Sequence, residues 1–248
     1  MKLIITLIYL YFISICTVFA QNVSFRELPD AFEHPYQISS LDNQGDTLFM
    51  ASEDCNLLFL VDVNSGEHLE TIDLSEKFNR KLEIEGLSII GDHMIFTDES
   101  SNRLLAYNWK SKNQVEIECD DKVDFNRSRG GGLEGIEASL ELSKLWVVKE
   151  KNRNGDSELY TFEMKVEGDK FILDFISKLV LNQENGQRYS GIALDDNGSF
   201  LYLIRSVTGQ YFVDRLPLQK ETGIPQEKSK FAEAHELQNL SNEVTAKQ

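Results

Sequence analysis

Leu133 to Glu150 reads "LEGIEASLELSKLWVVKE": a short alternating run, a polar turn, then an apolar run that stops at a carboxylate. Tyr36 to Glu53 ("YQISSLDNQGDTLFMASE") and Tyr189 to Ser206 ("YSGIALDDNGSFLYLIRS") align with it without a gap. Ile84 to Glu99 ("IEGLSIIGDHMIFTDE") joins them with two residues missing at the turn. The copies start at residues 36, 84, 133 and 189, which are 48, 49 and 56 residues apart. A pattern that keeps both its period and its internal turn marks a repeat architecture.

Within each copy a short strand reaches a turn rich in Gly, Asn, Asp or Ser, and a strongly apolar strand follows ("HMIFTDE", "KLWVVKE"). A third strand ("NLLFLVDV", "ELYTFEMK") and an outer segment ("HLETIDL", "QVEIECD") complete the unit. Runs of this length, enriched in β-branched and aromatic residues and bounded by turn signals, are sheet elements. Four antiparallel strands in about 50 residues describe a propeller blade. The sequence therefore predicts an all-β fold, a β-propeller of four recognisable blades in a closed or an incomplete ring. A β-sandwich is the alternative that the period disfavours. "SEKFNRKLEIE" reads as an inter-blade loop, and "NVSFRELP", Asn22 to Pro29, is a candidate for a closing strand.

Residues 1–20 combine a basic start, an apolar run and a small-residue "VFA" before Gln21, the pattern of a secretory signal. The expected organisation is a signal peptide over 1–20, a propeller over 21–222, and a polar tail or partial outer strand over 223–248. The expected location is secreted or periplasmic, with no stable membrane insertion after cleavage. The whole chain carries 25 basic and 41 acidic residues; without Lys2 the balance is 24 to 41, a formal charge of −17. Such a surface repels nucleic acid and anionic membranes and suits cations. Cys55 and Cys119 fall in different repeats, and two cysteines make no disulfide framework.

The first strand of a blade lies nearest the propeller axis, so its leading side chains point at a shared channel. By the alignment these are Gln37, Glu85, Glu134 and Ser190, three of them followed by Gly86, Gly135 or Gly191, which remove bulk where strands crowd. A second ring, Glu53, Glu99, Glu150 and Ser206, closes the second strands, with Ser52, Asp98, Lys149 and Arg205 beside it. Converging carboxylates repel unless a cation or a shared proton intervenes. Hard oxygen donors suit Ca²⁺. Two readings stay open: an axial calcium, or carboxylates that accept backbone N–H bonds and fix blade to blade.

Other signals are weak. "RGGGLEG" lacks the Lys-Ser/Thr ending of a phosphate loop, no GxSxG elbow is present, and the four histidines show no zinc spacing. Lys149, Arg188 and Arg205 could meet an anion near the channel mouth or pair with neighbouring acids. Arg127 and Arg129 stand out on so acidic a chain.

The copies beginning "IEGLSII", "LEGIEAS" and "YSGIALD" resemble the phytase-like (esterase-like) propeller domain and the related SdiA-regulated propellers. Both groups carry "EG" plus an aliphatic residue opening successive blades and an acid closing the second strand. The resemblance spans about residues 34 to 215 and implies an extracytoplasmic propeller with a calcium-binding channel and hydrolysis of an ester or phosphoester. Glu85 and Glu134 match the blade-opening acids, and Glu99 and Glu150 the strand-closing ones. Gln37 and Ser190 depart from the pattern.

On this reading Glu85 and Glu134 are metal ligands, Glu99 or Glu150 is a base, and Lys149 or Arg205 steadies the anion. The alternatives are a non-catalytic propeller that binds an extracellular protein or glycan, and a lactonase-like calcium hydrolase.

Overall fold

The computed structural model describes residues 36–120, 123, 125, 131–151, 154–181, 187–207, 210–220, 222–226 and 235–236. The expected signal peptide, the "NVSFRELP" segment, Arg127 and Arg129 lie outside them. Four antiparallel units follow one another, as the repeat predicts. Blade 1 is β1 (Ile38–Gln44), β2 (Thr47–Ser52), β3 (Leu57–Asp62) and β4 (His68–Asp73). A short helix α1 (Ser75–Phe78) leads to blade 2, made of β5 (Ile84–Ile90), β6 (His93–Asp98), β7 (Arg103–Asn108) and β8 (Asn113–Cys119). Blade 3 is β9 (Leu133–Ser139), β10 (Lys144–Lys149), β11 (Ser157–Val166) and β12 (Lys170–Leu181). Blade 4 is β13 (Gln187–Leu194), β14 (Phe200–Val207), β15 (Gln210–Pro217) and β16 (His235–Glu236). The two-residue β16 comes from the polar C-terminal segment and pairs with Phe212 and Val213. No described helix is long and apolar enough to cross a membrane.

Burial explains the strand composition. One core lies between blades 1 and 2 (Phe49, Leu58 and Ile72 on Met94, Phe96 and Tyr107), and a second between blades 2 and 3 (Ile95 and Val115 on Leu145, Val147 and Phe162). A third joins blades 3 and 4 (Trp146, Val148 and Leu159 on Leu201, Leu203 and Leu216). β10 is therefore buried on both faces, and all six of its residues are inaccessible. That is why "LWVV", Leu145 to Val148, is apolar throughout and does not alternate. β14 sits in the last blade and does alternate: Leu201 and Leu203 are buried while Ile204 is exposed.

The inner strands β1, β5, β9 and β13 lie side by side in that order. A repeated side-chain clamp ties them. Asp42 accepts the N–H of Ile89 at 2.6 Å, Ser88 Oγ accepts that of Ala138 at 3.1 Å, and Glu137 accepts that of Leu194. These three acceptors hold one repeat position, and Ala193, with no acceptor, holds it in blade 4. Among the described residues β13 and β1 make no comparable contact. A second set of staples joins the start of each third strand to the next blade: Asn56 Oδ1 accepts Leu82 N–H, Asn102 Oδ1 accepts Leu133 N–H, and Ser157 Oγ accepts Tyr189 N–H.

The register corrects one part of the sequence alignment. Ile38, Ile84, Leu133 and Tyr189 face Ser52, Asp98, Lys149 and Arg205, so the residue equivalent to Glu85 in blade 1 is Ser39 and not Gln37. Blade 1 shares the shorter turn of blade 2, with Gly45 at φ 58° and Gly91 at φ 59°. A slip of two residues preserves the in–out alternation of a strand, and this is why the ungapped alignment looked sound. Cys55 and Cys119 are not joined in a disulfide.

Close approach of the inner strands depends on glycine. A Cβ on Gly86 would meet the Glu134 carbonyl oxygen and lie 2.8 Å from Ile136 N; one on Gly135 would lie 2.9 Å from Ile192 N. These are backbone atoms that cannot rotate away. Gly86→Ala should therefore cost about 1–3 kcal/mol, the range of overpacked cores. Thermal unfolding should report it as a fall of roughly 2–4 °C per kcal/mol. An unchanged midpoint would contradict the close approach of β5 to β9.

Candidate functional site

Each blade departs from regular pairing at the same place. The register between first and second strands shifts at Ile38/Ser40, Ile84/Gly86, Val147/Lys149 and Tyr189/Gly191. A β-bulge adds one residue to a strand and re-aims its side chain. The residues re-aimed are Ser39, Glu85, Glu134 and Ser190, and all four line one cleft of about 430 Å³. Glu53, Glu99 and Glu150, each following the last ladder residue of a second strand, line it too, as does Ser206, which is paired within β14. Four blades thus converge on one volume, with five glutamates between them.

The glutamates fall into two groups. One carboxylate oxygen each from Glu99, Glu134 and Glu150 can lie within 4.8 Å of the others. Glu85 instead shares a side-chain hydrogen bond with Glu53. Burial pushes the Glu85 carboxyl up to about 9, helped by that bond and by the charges of Glu134, Glu53 and Glu99. Burial likewise raises Glu134 to about 8, with Glu150 and Glu99 adding repulsion and Arg188 opposing it. Each holds its proton near neutrality because burial disfavours the charged form and the cleft adds like charge.

The backbone around the glutamates is fixed both by neighbouring blades and by pairing within each blade. Thr97 Oγ1 donates to the Glu134 carbonyl at 2.6 Å, and the Ser39 hydroxyl donates to the Ile84 carbonyl. Glu99 N–H bonds Glu83 O at 2.8 Å, and Glu150 N–H bonds Gly132 O at 3.0 Å. Buried Asp98 sits beside Glu99; burial raises its carboxyl, but bonds from Ser101, Glu83 N–H, Arg80 and Ser100 outweigh that and hold it below the usual range.

Of the sequence-expected site residues, Glu85, Glu99, Glu134 and Glu150 meet in the cleft, and Lys149 and Arg205 do not line it. Alternation along the strands sends them to the other face. Lys149 Nζ donates to Phe125 O at 3.4 Å, while Arg205 grips Asp214 at 2.7 and 3.2 Å and stacks on Phe212. The basic residue among the described cleft lining is Arg188. Its Nη1 lies 3.1 Å from Glu150 Oε1, and its Nε donates to Ser206 Oγ at 3.0 Å. Ser39, Ile204 and Tyr211 also line the cleft and were not expected there. Aligning the turn glycines Gly45 and Gly91 would have found Ser39; no motif points to Tyr211.

Comparison with known proteins follows the same lines. The chain resembles in fold a protein assigned as a 6-phosphogluconolactonase from Bacteroides uniformis, with a TM-score of 0.52 at 13% identity over 84% of this chain and 59% of that one. Hydrazine synthase from Kuenenia stuttgartiensis gives 0.49 at 13% identity over 88% and 53% of the two chains. Regucalcin, a calcium-binding protein from Agrobacterium tumefaciens, gives 0.46 at 14% over 79% and 59%. The chain thus spans little more than half the length of these proteins, and at such identities the likeness is one of fold. No curated protein sequence matches it. A family model described as "Phytase-like: Esterase-like activity of phytase" matches residues 38–242, from the first strand of blade 1 to beyond β16. With four bulged blades opening on one acidic cleft and a match of that extent, the chain belongs to the phytase-like family.

Proposed function

We propose that the chain is an extracytoplasmic calcium-binding propeller that hydrolyses an ester or phosphoester in the four-blade cleft. The observation that carries this reading is the convergence of Glu99, Glu134 and Glu150, whose oxygens can lie within 4.8 Å of one another. Three carboxylates from two blades, with carbonyls and serine hydroxyls around them, make a hard-oxygen donor set that fits Ca²⁺. The assignment redistributes the roles expected from sequence. Glu99 and Glu150, expected as bases, join Glu134 as ligands; Glu85 stands with Glu53; Lys149 and Arg205 have no part.

Bound calcium would hold the substrate oxyanion and lower the pKa of a coordinated water. The other roles fall to side chains. Hydrolysis must end with a proton on the leaving oxygen, and Glu85, raised to about 9 by burial and by Glu53, carries one at neutral pH. Arg188 is placed to meet negative charge on the substrate. A lactone, being an internal ester, falls within the same chemistry.

The test is calcium titration of metal-stripped protein by calorimetry, alongside turnover of nitrophenyl acetate and nitrophenyl phosphate. Glu134→Gln should weaken calcium binding by at least about tenfold, the scale on which even groups outside the ligand shell act, and should remove turnover. Calcium binding without hydrolysis of either ester would favour a non-catalytic binding propeller. Undiminished binding in Glu134→Gln would defeat the ligand assignment.

Protons and calcium compete for these carboxylates, so the metal-free protein should depend on pH in a defined direction. Glu134, Glu85 and Glu137, the last raised to about 8 chiefly by burial and by Asp42, titrate far above an unfolded glutamate. Between about pH 4.5 and pH 8–9 the folded state binds more protons, so stability falls as pH rises through that window. Unfolding midpoints without metal should drop from pH 5 to pH 9. Glu85→Gln and Glu134→Gln should flatten the drop, and calcium should offset it in the native chain. A midpoint rising with pH across this window would contradict the burial of these acids.

A further inference from the structure

The cleft is lopsided. Blades 1 to 3 supply all five glutamates; blade 4 has Ser190 and Ser206 at the acid positions and lines its side with Arg188, Ile204 and Tyr211. The Arg188 side chain is 55% exposed, whereas its partner Glu150 is 6% exposed. Glu150 is thus the buried end of the pair and Arg188 the end that faces the opening. Ile204 and Tyr211 are 40% and 51% exposed, which places apolar surface beside the guanidinium. A guanidinium has five N–H donors in a rigid fork that matches an oxyanion. An arginine next to uncovered apolar and aromatic surface in a concave site recognises an anion that carries an apolar substituent.

We infer that blade 4 forms a substrate subsite in which an organic oxyanion with an apolar group binds Arg188 and the Tyr211–Ile204 wall, and that Glu150 governs access to it. This rests on the calcium reading for its physiological trigger. In the structure described here Arg188 Nη1 is held by Glu150 Oε1 at 3.1 Å, with Lys151 Nζ at 3.6 Å from the same oxygen. Glu150 is also one of the three converging carboxylates. Its oxygens cannot serve a cation and the guanidinium equally well. A cation that draws Glu150 in releases Arg188 to the anion, and an anion that takes Arg188 releases Glu150 to the cation. The two ligands therefore assist one another, and by linkage each raises the affinity of the other by the same factor.

Calorimetry with phenylphosphonate and methylphosphonate tests this, because neither has an ester bond to cleave. In the native chain saturating calcium should tighten phenylphosphonate binding by about fivefold or more, the lower end of measured couplings. Phenylphosphonate should bind more tightly than methylphosphonate, and Tyr211→Ala should remove that preference. Arg188→Gln should weaken phosphonate binding with and without calcium and leave calcium binding in place. Glu150→Gln frees Arg188 without metal, so it should bind phenylphosphonate more tightly than the native chain when calcium is absent. Phosphonate binding as tight in Arg188→Gln as in the native chain would overturn the subsite, as would Glu150→Gln binding no more tightly than the native chain when calcium is absent. A native chain that takes up no calcium would overturn the cation reading instead; the metal-free comparison with Glu150→Gln would still decide the subsite.

Discussion

Backbone contact between neighbouring inner strands is the constraint on which the site depends. At Gly86 and Gly135 the strands approach so closely that a single methyl group would strike main-chain atoms of the next blade. Strands packed this tightly leave little room beside them, and the bulges turn one residue per blade toward the axis. Ser39, Glu85, Glu134 and Ser190 share a volume because the peptide chain behind them allows nothing else. Burial then removes water from carboxylates that already repel one another, and a proton or a cation becomes the condition for keeping them there.

The blades are not equivalent. Blades 2 and 3 bury both faces and have lost alternation in their second strands, while blade 4 retains it in β14. The inter-blade clamp of Asp42, Ser88 and Glu137 ends at Ala193, which has no side-chain acceptor. The same blade exchanges glutamate for serine in the cleft and brings in the arginine. Departure from the repeat and chemical specialisation coincide in blade 4.

Much of this was legible in the sequence. The period, the turn residues and the apolar second strands gave four blades, and the paired acids gave a shared channel. Three things were not legible. The two-residue slip in blade 1 was hidden because it conserves strand parity, so Gln37 stood in for Ser39. The direction of Lys149 and Arg205 depends on which face of the second strand meets the cleft, which the alternation of that strand sets. Partition of the glutamates into Glu53–Glu85 and Glu99–Glu134–Glu150 depends on side-chain placement across three blades, which no linear pattern encodes. Arg188 was visible as one of three basic residues near the channel, and the geometry chose among them.

One feature of the outer rim separates the middle of the molecule from its ends. β8 and β12 pair in parallel, Lys170 to Leu173 against Glu116 to Cys119, and Lys170 bridges Glu116 and Glu118. Blades 2 and 3 thereby become one eight-stranded ladder, sewn along its periphery by peptide hydrogen bonds. Among the described residues blades 1 and 4 have no such strand-to-strand ladder to it; their inner strands pack against it and are tied to it by hydrogen bonds between side chain and backbone. Glu85, Glu99, Glu134 and Glu150 all stand on or directly beside this ladder, so four of the five cleft glutamates are carried by one continuous network of main-chain hydrogen bonds.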